Sequence, residues 1–250
     1  MKKTRIITIM ALLAATVLLN QECQSQTPAP AAGAATAAAP AVGGTQSIKV
    51  KVAFTGAAPV MGKLKREADP FCGKTPMTDQ EVLVNPNGTL KNVVVRVSKG
   101  AAPAAVPTTP VVMMNQNNCM YEPRVAAGVV NQKLVIRNSD PVMHNVHTYV
   151  GTATGFNQAQ MKGSKDLEKT ITAGVMKFKC DVHPWMTGYV VGTDNAFFCV
   201  TDATGECSIA NIPAGTYTLE AWHEKYGSKT ADVTVAAGQA AAAAFSYAAQ

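Results

Sequence analysis

No stretch of this chain beyond residue 45 holds an apolar stripe at helical spacing through three turns. What recurs is short alternating runs closed off by glycine and proline. Ile48, Val50, Val52 and Phe54 alternate with Lys49, Lys51 and Ala53, and the run stops at Gly56. Comparable runs cover residues 93–97, 134–136, 146–150, 175–180 and 189–191. Residues 155–169 form the best candidate for a loop with a short helical turn. From about Asp194 the character changes. Residues 197–202 and 207–209 read as two strands around an Ala203-Thr204-Gly205 turn, followed by strands at 217–221 and 233–235 and an edge strand near Phe245 and Tyr247. Many short strands at this spacing predict an all-β chain built as a β-sandwich, with a second, smaller β-sandwich module after it.

The first 46 residues stand apart from this pattern. Lys2, Lys3 and Arg5 precede an uncharged apolar run at residues 6–19, which suits a cleaved export signal better than a membrane span. Residues 27–43 are almost wholly Ala, Pro, Thr and Gly, with nothing to bury, and read as a flexible tether. The expected division is a signal at 1–22, a linker at 23–46, a first domain at 47–193 and a second at 194–250, with the strand from Ile48 able to pair in either. Removing Lys2, Lys3, Arg5 and Glu22 with the signal takes the formal charge from +6 to +4. That mild excess has no dense basic run and gives no support for nucleic-acid binding.

Six cysteines in an exported chain need an accounting. Cys199 and Cys207 are expected to bridge across a hairpin, and Cys72 and Cys119 to bridge a longer loop. Cys180 is assigned to metal. Cys23 sits where a bacterial lipoprotein carries its lipid, although the preceding Asn20-Gln21-Glu22 matches the small residues of such a cleavage site poorly. Ordinary cleavage nearby is the alternative. A lipid at Cys23 would be the chain's one membrane attachment.

The chemistry is concentrated in Cys180-Asp181-Val182-His183-Pro184-Trp185-Met186, which places a thiolate, an imidazole and a thioether within seven residues. Two histidines and a cysteine with a weak axial methionine are what a copper ion needs to cycle between oxidation states. His144, in Pro141-Val142-Met143-His144-Asn145-Val146-His147, supplies the second imidazole. Zinc is a poorer match, because it rarely recruits methionine. A dinuclear copper centre would want a second cysteine in the loop.

These two segments resemble the cupredoxin family, Greek-key β-sandwiches, and the loop spacing is nearest the amicyanin type. The resemblance covers roughly residues 111–192. It implies one mononuclear blue copper held by His144, Cys180, His183 and Met186, with His147 a strand residue and not a ligand. It also implies electron exchange with a redox partner protein at a surface where the His183 edge emerges between Pro184 and Trp185. Residues 196–237 resemble the non-catalytic β-sandwich module appended to carboxypeptidases, through Val200-Thr201-Asp202-Ala203-Thr204-Gly205 and Asn211-Ile212-Pro213-Ala214-Gly215. The whole chain is similar to exported bacterial proteins of the methylamine-utilisation or plastocyanin-like kind, many of which carry a histidine where this chain has Arg124. His223 reads as a structural histidine with its nitrogens satisfied. No paired general acid and base and no activated nucleophile stands out, so an enzyme is not expected. The expectation is a periplasmic or otherwise extracytoplasmic electron carrier. The alternative is a protein that binds or sequesters copper, or a surface scaffold, without redox turnover.

Overall fold

The computed structural model describes residues 45–249; the expected export signal, Cys23 and nearly all of the expected linker lie outside them. Sixteen strands run through the described residues, and the one helical element among them is a single 3-10 turn at Cys72–Lys74. In chain order the strands are β1 (Gln46–Thr55), β2 (Val94–Lys99), β3 (Val112–Asn117), β4 (Met120–Glu122), β5 (Val125–Val129) and β6 (Lys133–Asn138). They continue with β7 (His144–Val150), β8 (Ala153–Gln160), β9 (Leu167–Thr170), β10 (Gly174–Lys179) and β11 (Thr187–Thr193). The last five are β12 (Phe198–Val200), β13 (Glu206–Ile212), β14 (Gly215–His223), β15 (Gly227–Val235) and β16 (Ala241–Ala248).

Two sheets, β13-β1-β16 and β12-β2-β14-β15, close over one core. The alternation read in the sequence is what fills it. Ile48, Val50, Val52 and Phe54 of β1 point in, and meet Val95 and Val97, Leu219 and Ala221, Val233 and Val235, and Phe245 and Tyr247. Two other sheets, β5-β11-β10-β7-β8 and β4-β3-β6-β9, close over a second core that includes Met114, Leu134, Ile136, Val146, Met176, Phe178 and Val190. At Gly188 of β11 these layers touch: a Cβ there would stand 2.8 Å from both Met114 Cε and Tyr121 Cβ, so only glycine lets the strand come this close.

The sheets group the chain differently from a cut at 193/194. β1 pairs with β13 and, in parallel, with β16; β2 pairs with β12 and β14. Both N-terminal strands therefore belong with the C-terminal ones, and strands β3 to β11 are inserted between β2 and β12. The reason is the strand edge. The Ile48 run is buried on one face and needs a partner on each side, and the apolar face of β16 offers one to close the sandwich.

Two further expectations change. Residues 155–169, expected as a loop with a helical turn, are instead most of β8 and most of β9, with a loop only at residues 161–166 between them. Seven of the eight β8 side chains are not buried, so the strand carries no alternating signal and is set by its pairing with β7. Cys199 and Cys207 do form a disulfide, but not across a hairpin ladder. Cys199 lies opposite Val95 in one sheet and Cys207 opposite Val50 in the other, so the bond staples the two sheets of the sandwich together. The second disulfide, Cys72–Cys119, forms as expected.

Candidate metal centre

Strand register brings the four candidate donors to one end of the inserted sandwich. β10 runs antiparallel to β7, with Lys179 opposite His147, and antiparallel to β11, with Lys179 opposite Thr187. Met176 and Phe178 are buried on β10, so Cys180 is the next inward position just past its end. His144 opens β7 and Met186 immediately precedes β11, both at that same end. The short loop between them turns on a Met186 N–H donated to the His183 carbonyl at 2.9 Å.

The donor atoms converge. The Nδ1 atoms of His144 and His183 face each other at 2.9 Å, and Cys180 Sγ lies 3.7 Å from His183 Nδ1. A nitrogen of each ring and the sulfur all lie within 4.8 Å of one another. The set is buried: His144 is 0% exposed, Cys180 1%, His183 2% and Met186 0%. Ligands held about 2.0 Å (nitrogen) and about 2.3 Å (sulfur) from one ion stand roughly 3–4 Å apart, which is the spacing found here. The three atoms thus fit one metal ion, and a buried thioether beside a thiolate and two imidazoles suits copper.

Charge within the site is arranged to favour this. Burial pushes the Cys180 thiol up, but the His144 ring and the Asn145 N–H, which donates to Sγ at 3.3 Å, outweigh it and hold the thiol below its ordinary value. Burial also opposes charge on His144, yet Asp140 and Cys180 together raise it. His183 moves the other way, lowered by burial and then by the nearby His144 charge. These directions favour charge on Cys180 and His144 and oppose it on His183, which suits a cation held between the two rings and the sulfur.

Each candidate histidine has its outer nitrogen on a carboxylate, which fixes the ring and leaves Nδ1 free to bind a metal. His144 Nε2 lies 2.7 Å from Asp140 Oδ2, and Asp140 also accepts the Asn118 and Cys119 N–H groups at 2.6 and 2.8 Å. Those two residues form the tight turn between β3 and β4, both with positive φ. His183 Nε2 lies 3.4 Å from Asp69 Oδ2. Tyr121 ties the two ligand strands together by donating to the Lys179 and Asn145 carbonyls at 3.1 and 3.3 Å. Asp69, Asp140 and Tyr121 were not read from the sequence. Asp140 left a signal, a carboxylate four residues before a ligand histidine; Asp69, 114 residues from His183, left none.

Other expected residues are placed as follows. Pro184 is exposed and Trp185 half-buried. The Trp185 ring tilts over His183 at 5.1 Å and its N–H donates to the Cys119 carbonyl at 3.0 Å. The expectation that the His183 edge reaches the surface is corrected: at 2% exposure, under Asp69 and Trp185, it does not. His147 stays out of the cluster, 3.0 Å from Asp181 and stacked on Tyr149. Arg124 makes a two-pronged ion pair with Glu224.

His223 also departs from expectation. Its Nδ1 accepts the Lys225 N–H at 3.1 Å, but its buried Nε2 has no partner among the described residues. Burial, and then the Arg124 charge, lower it from 6.5 to about 4. The unfolded chain therefore takes up this proton as pH falls through 6.5 and the folded chain only near 4. The stability from keeping His223 neutral is complete above the unfolded value and is lost as pH falls through that window, by on the order of 3 kcal/mol. Urea unfolding at about pH 7.5 and about pH 4.5 should show the drop, and His223→Gln should lose less. An identical drop in that variant would remove His223 as its source.

A family model described as polysaccharide lyase family 4, domain II, matches residues 147–243, less than half of the chain. It starts in β7 and ends in β16, so it takes in strands of both sandwiches. No curated protein matches. Among solved structures the chain is similar to a purple cupredoxin from Nitrosopumilus maritimus, at 21% identity, 33% of this chain, 99% of that one and a TM-score of 0.30. It is similar to an oxidised amicyanin variant at 22% identity, 40% of this chain, 98% of that one and a TM-score of 0.31. It is similar to a copper-containing nitrite reductase from Thermus scotoductus SA-01 at 18% identity, 36% of this chain, 25% of that one and a TM-score of 0.28.

Proposed function

We propose that this chain is an exported type 1 copper protein that passes single electrons through one mononuclear site. The observation that carries the reading is the convergence of His144 Nδ1, His183 Nδ1 and Cys180 Sγ at one strand end, with Met186 buried on the same loop. Bound there, copper would supply one-electron exchange between its two oxidation states. Cys180 and the two imidazoles would hold it, with the buried Met186 thioether available as a weaker fourth donor. Asp140 and Asp69 keep each ring in the tautomer that presents Nδ1. The buried shell excludes water and limits rearrangement on transfer. Two disulfides among the described residues suit an oxidising compartment outside the cytoplasm. A redox partner protein and a lipid at Cys23 belong to the same proposal, as does the absence of enzymatic chemistry.

A second reading has one observation in its favour. With His183 covered, no ligand edge is offered to a partner, which suits copper binding or sequestration without turnover. Voltammetry of the copper-loaded chain separates the two. A carrier gives a reversible one-electron wave with fast self-exchange. Copper that is retained tightly but exchanges electrons sluggishly favours the binder, and copper that never re-oxidises after reduction sinks the carrier.

A further inference from the structure

We infer that Asp69 is a positioning residue for the copper ligand His183, delivered by the segment between β1 and β2 and clamped there by the Cys72–Cys119 bridge. The inference rests on the copper reading above and goes beyond it. Residues 56–92 belong, by the pairing of the strands on either side, to the sandwich that holds none of the four donors. Yet this segment reaches the metal centre through Asp69 and is fastened beside it by Cys72 and Arg66.

Asp69 divides its carboxylate between two tasks. Oδ1 accepts the Phe71 and Cys72 N–H groups at 2.8 and 3.0 Å, which fixes the turn. Oδ2 is left to face His183 Nε2 at 3.4 Å. Three residues on, Cys72 is bonded to Cys119, whose own N–H donates to the Asp140 carboxylate that holds His144. Arg66, 1% exposed, donates to the Thr75 carbonyl at 2.9 Å and the Asn118 carbonyl at 2.5 Å, locking the segment onto the same turn. A continuous bracket therefore runs from His183 through Asp69, Cys72, Cys119 and Asp140 to His144. It sets both imidazoles from outside the loop that carries Cys180, His183 and Met186, and it roofs the His183 edge.

Asp69→Asn isolates the contact. The asparagine carbonyl can still accept from Phe71 and Cys72, which holds the amide in one orientation and turns its NH2 toward the His183 Nε2–H, donor against donor. The turn survives while the acceptor is lost. The probe is Cu(II), one equivalent on the full chain, with affinity and release rate read by competition with a chelator and the reduction potential read by voltammetry. Loss of an outer partner to a ligand histidine typically costs about 10–100-fold in metal affinity. We expect that fall in Cu(II) affinity, faster release and a higher reduction potential in Asp69→Asn, with much less change in the melting of the metal-free chain. The effect should largely persist in about 0.5 M salt, which screens a general loss of charge far more than a direct, part-buried hydrogen bond.

Unchanged affinity and potential in Asp69→Asn, with the thiolate-to-copper band intact, would overturn the assignment. So would an effect that vanishes in salt, or one matched by an equal loss in the metal-free chain. If the unaltered chain shows no such band, the copper reading itself has failed, and that outcome is visible before any variant is made.

Discussion

Replacing Cys180 by alanine should abolish the intense visible absorption of the Cu(II)-loaded chain and weaken copper retention by roughly 100-fold or more, a larger loss than that of an outer-shell partner. Intensity of this kind comes from charge transfer between a thiolate and the metal, and Cys180 is the one free cysteine among the described residues. No second thiol there can substitute, because Cys72, Cys119, Cys199 and Cys207 are paired in disulfides. The fold itself should survive. Cys180 is a small buried residue at a strand end, so its truncation is expected to cost roughly 1 kcal/mol. The measurement is the absorption and electron-spin-resonance spectrum of both proteins with one equivalent of Cu(II), beside their far-ultraviolet circular dichroism. Colour that persists in a folded Cys180→Ala chain would place the copper elsewhere. A colourless unaltered chain would end the blue-copper reading and leave the histidine pair as a site for another cation.

The candidate donor set was legible because three of its members crowd into seven residues and because β10 announces its inward face by alternation. The all-β class was legible for the same reason, in β1, β2 and β10 above all. Other features depend on contacts between distant residues and leave no local trace. β8 is an exposed edge strand, specified by its neighbour and not by its own pattern. β1 is plainly a strand, but alternation says nothing about its partner, and its parallel pairing with β16 joins the two ends of the described chain. The cysteine pairings were legible by count and spacing, yet the role of the Cys199–Cys207 bond as a staple between sheets depends on which partner each strand takes. The roof over His183 was missed for a related reason: residues 56–92 have little regular structure, and Asp69 is an ordinary aspartate in sequence.

That roof also changes how the centre would exchange electrons. An exposed imidazole edge lets a partner approach the ligand directly. Here Asp69 and Trp185 stand between His183 and solvent, and Trp185 is itself half-buried and anchored on Cys119. On the copper reading, exchange through His183 would have to cross these groups, which would lengthen the path and slow it. The same cover would protect the ligand from displacement, so on the copper reading Asp69 and Trp185 together would set retention of the metal against speed of exchange.

Arg124→Met should destabilise the metal-free chain by about 3–5 kcal/mol, the usual cost of removing one member of a buried ion pair. Arg124 Nε and Nη2 donate to the two Glu224 oxygens at 2.5 and 2.7 Å, with side-chain exposures of 6% and 2%. The pair joins the residue before β5, in the inserted sandwich, to the residue after β14, in the other. Around it Val94, Val125 and Val191 are buried, and Tyr189 meets Trp222 edge-on at 5.4 Å. Burial raises the Glu224 carboxyl and Arg124 pulls it back, so without Arg124 it rises further. A carboxyl raised in the folded state favours folding at low pH and disfavours it as pH climbs past the unfolded value. The gap between variant and unaltered chain should therefore widen from acid to neutral pH. Replacing both partners, as Arg124→Met with Glu224→Leu, removes the buried charge and should recover most of the loss, because the two residues act as one unit. Urea unfolding followed by tryptophan fluorescence reads this directly, since Trp222 lies in the same interface. A single-variant loss below about 1 kcal/mol would mean that the apolar contacts alone hold the sandwiches together, and that the ion pair merely offsets its own desolvation.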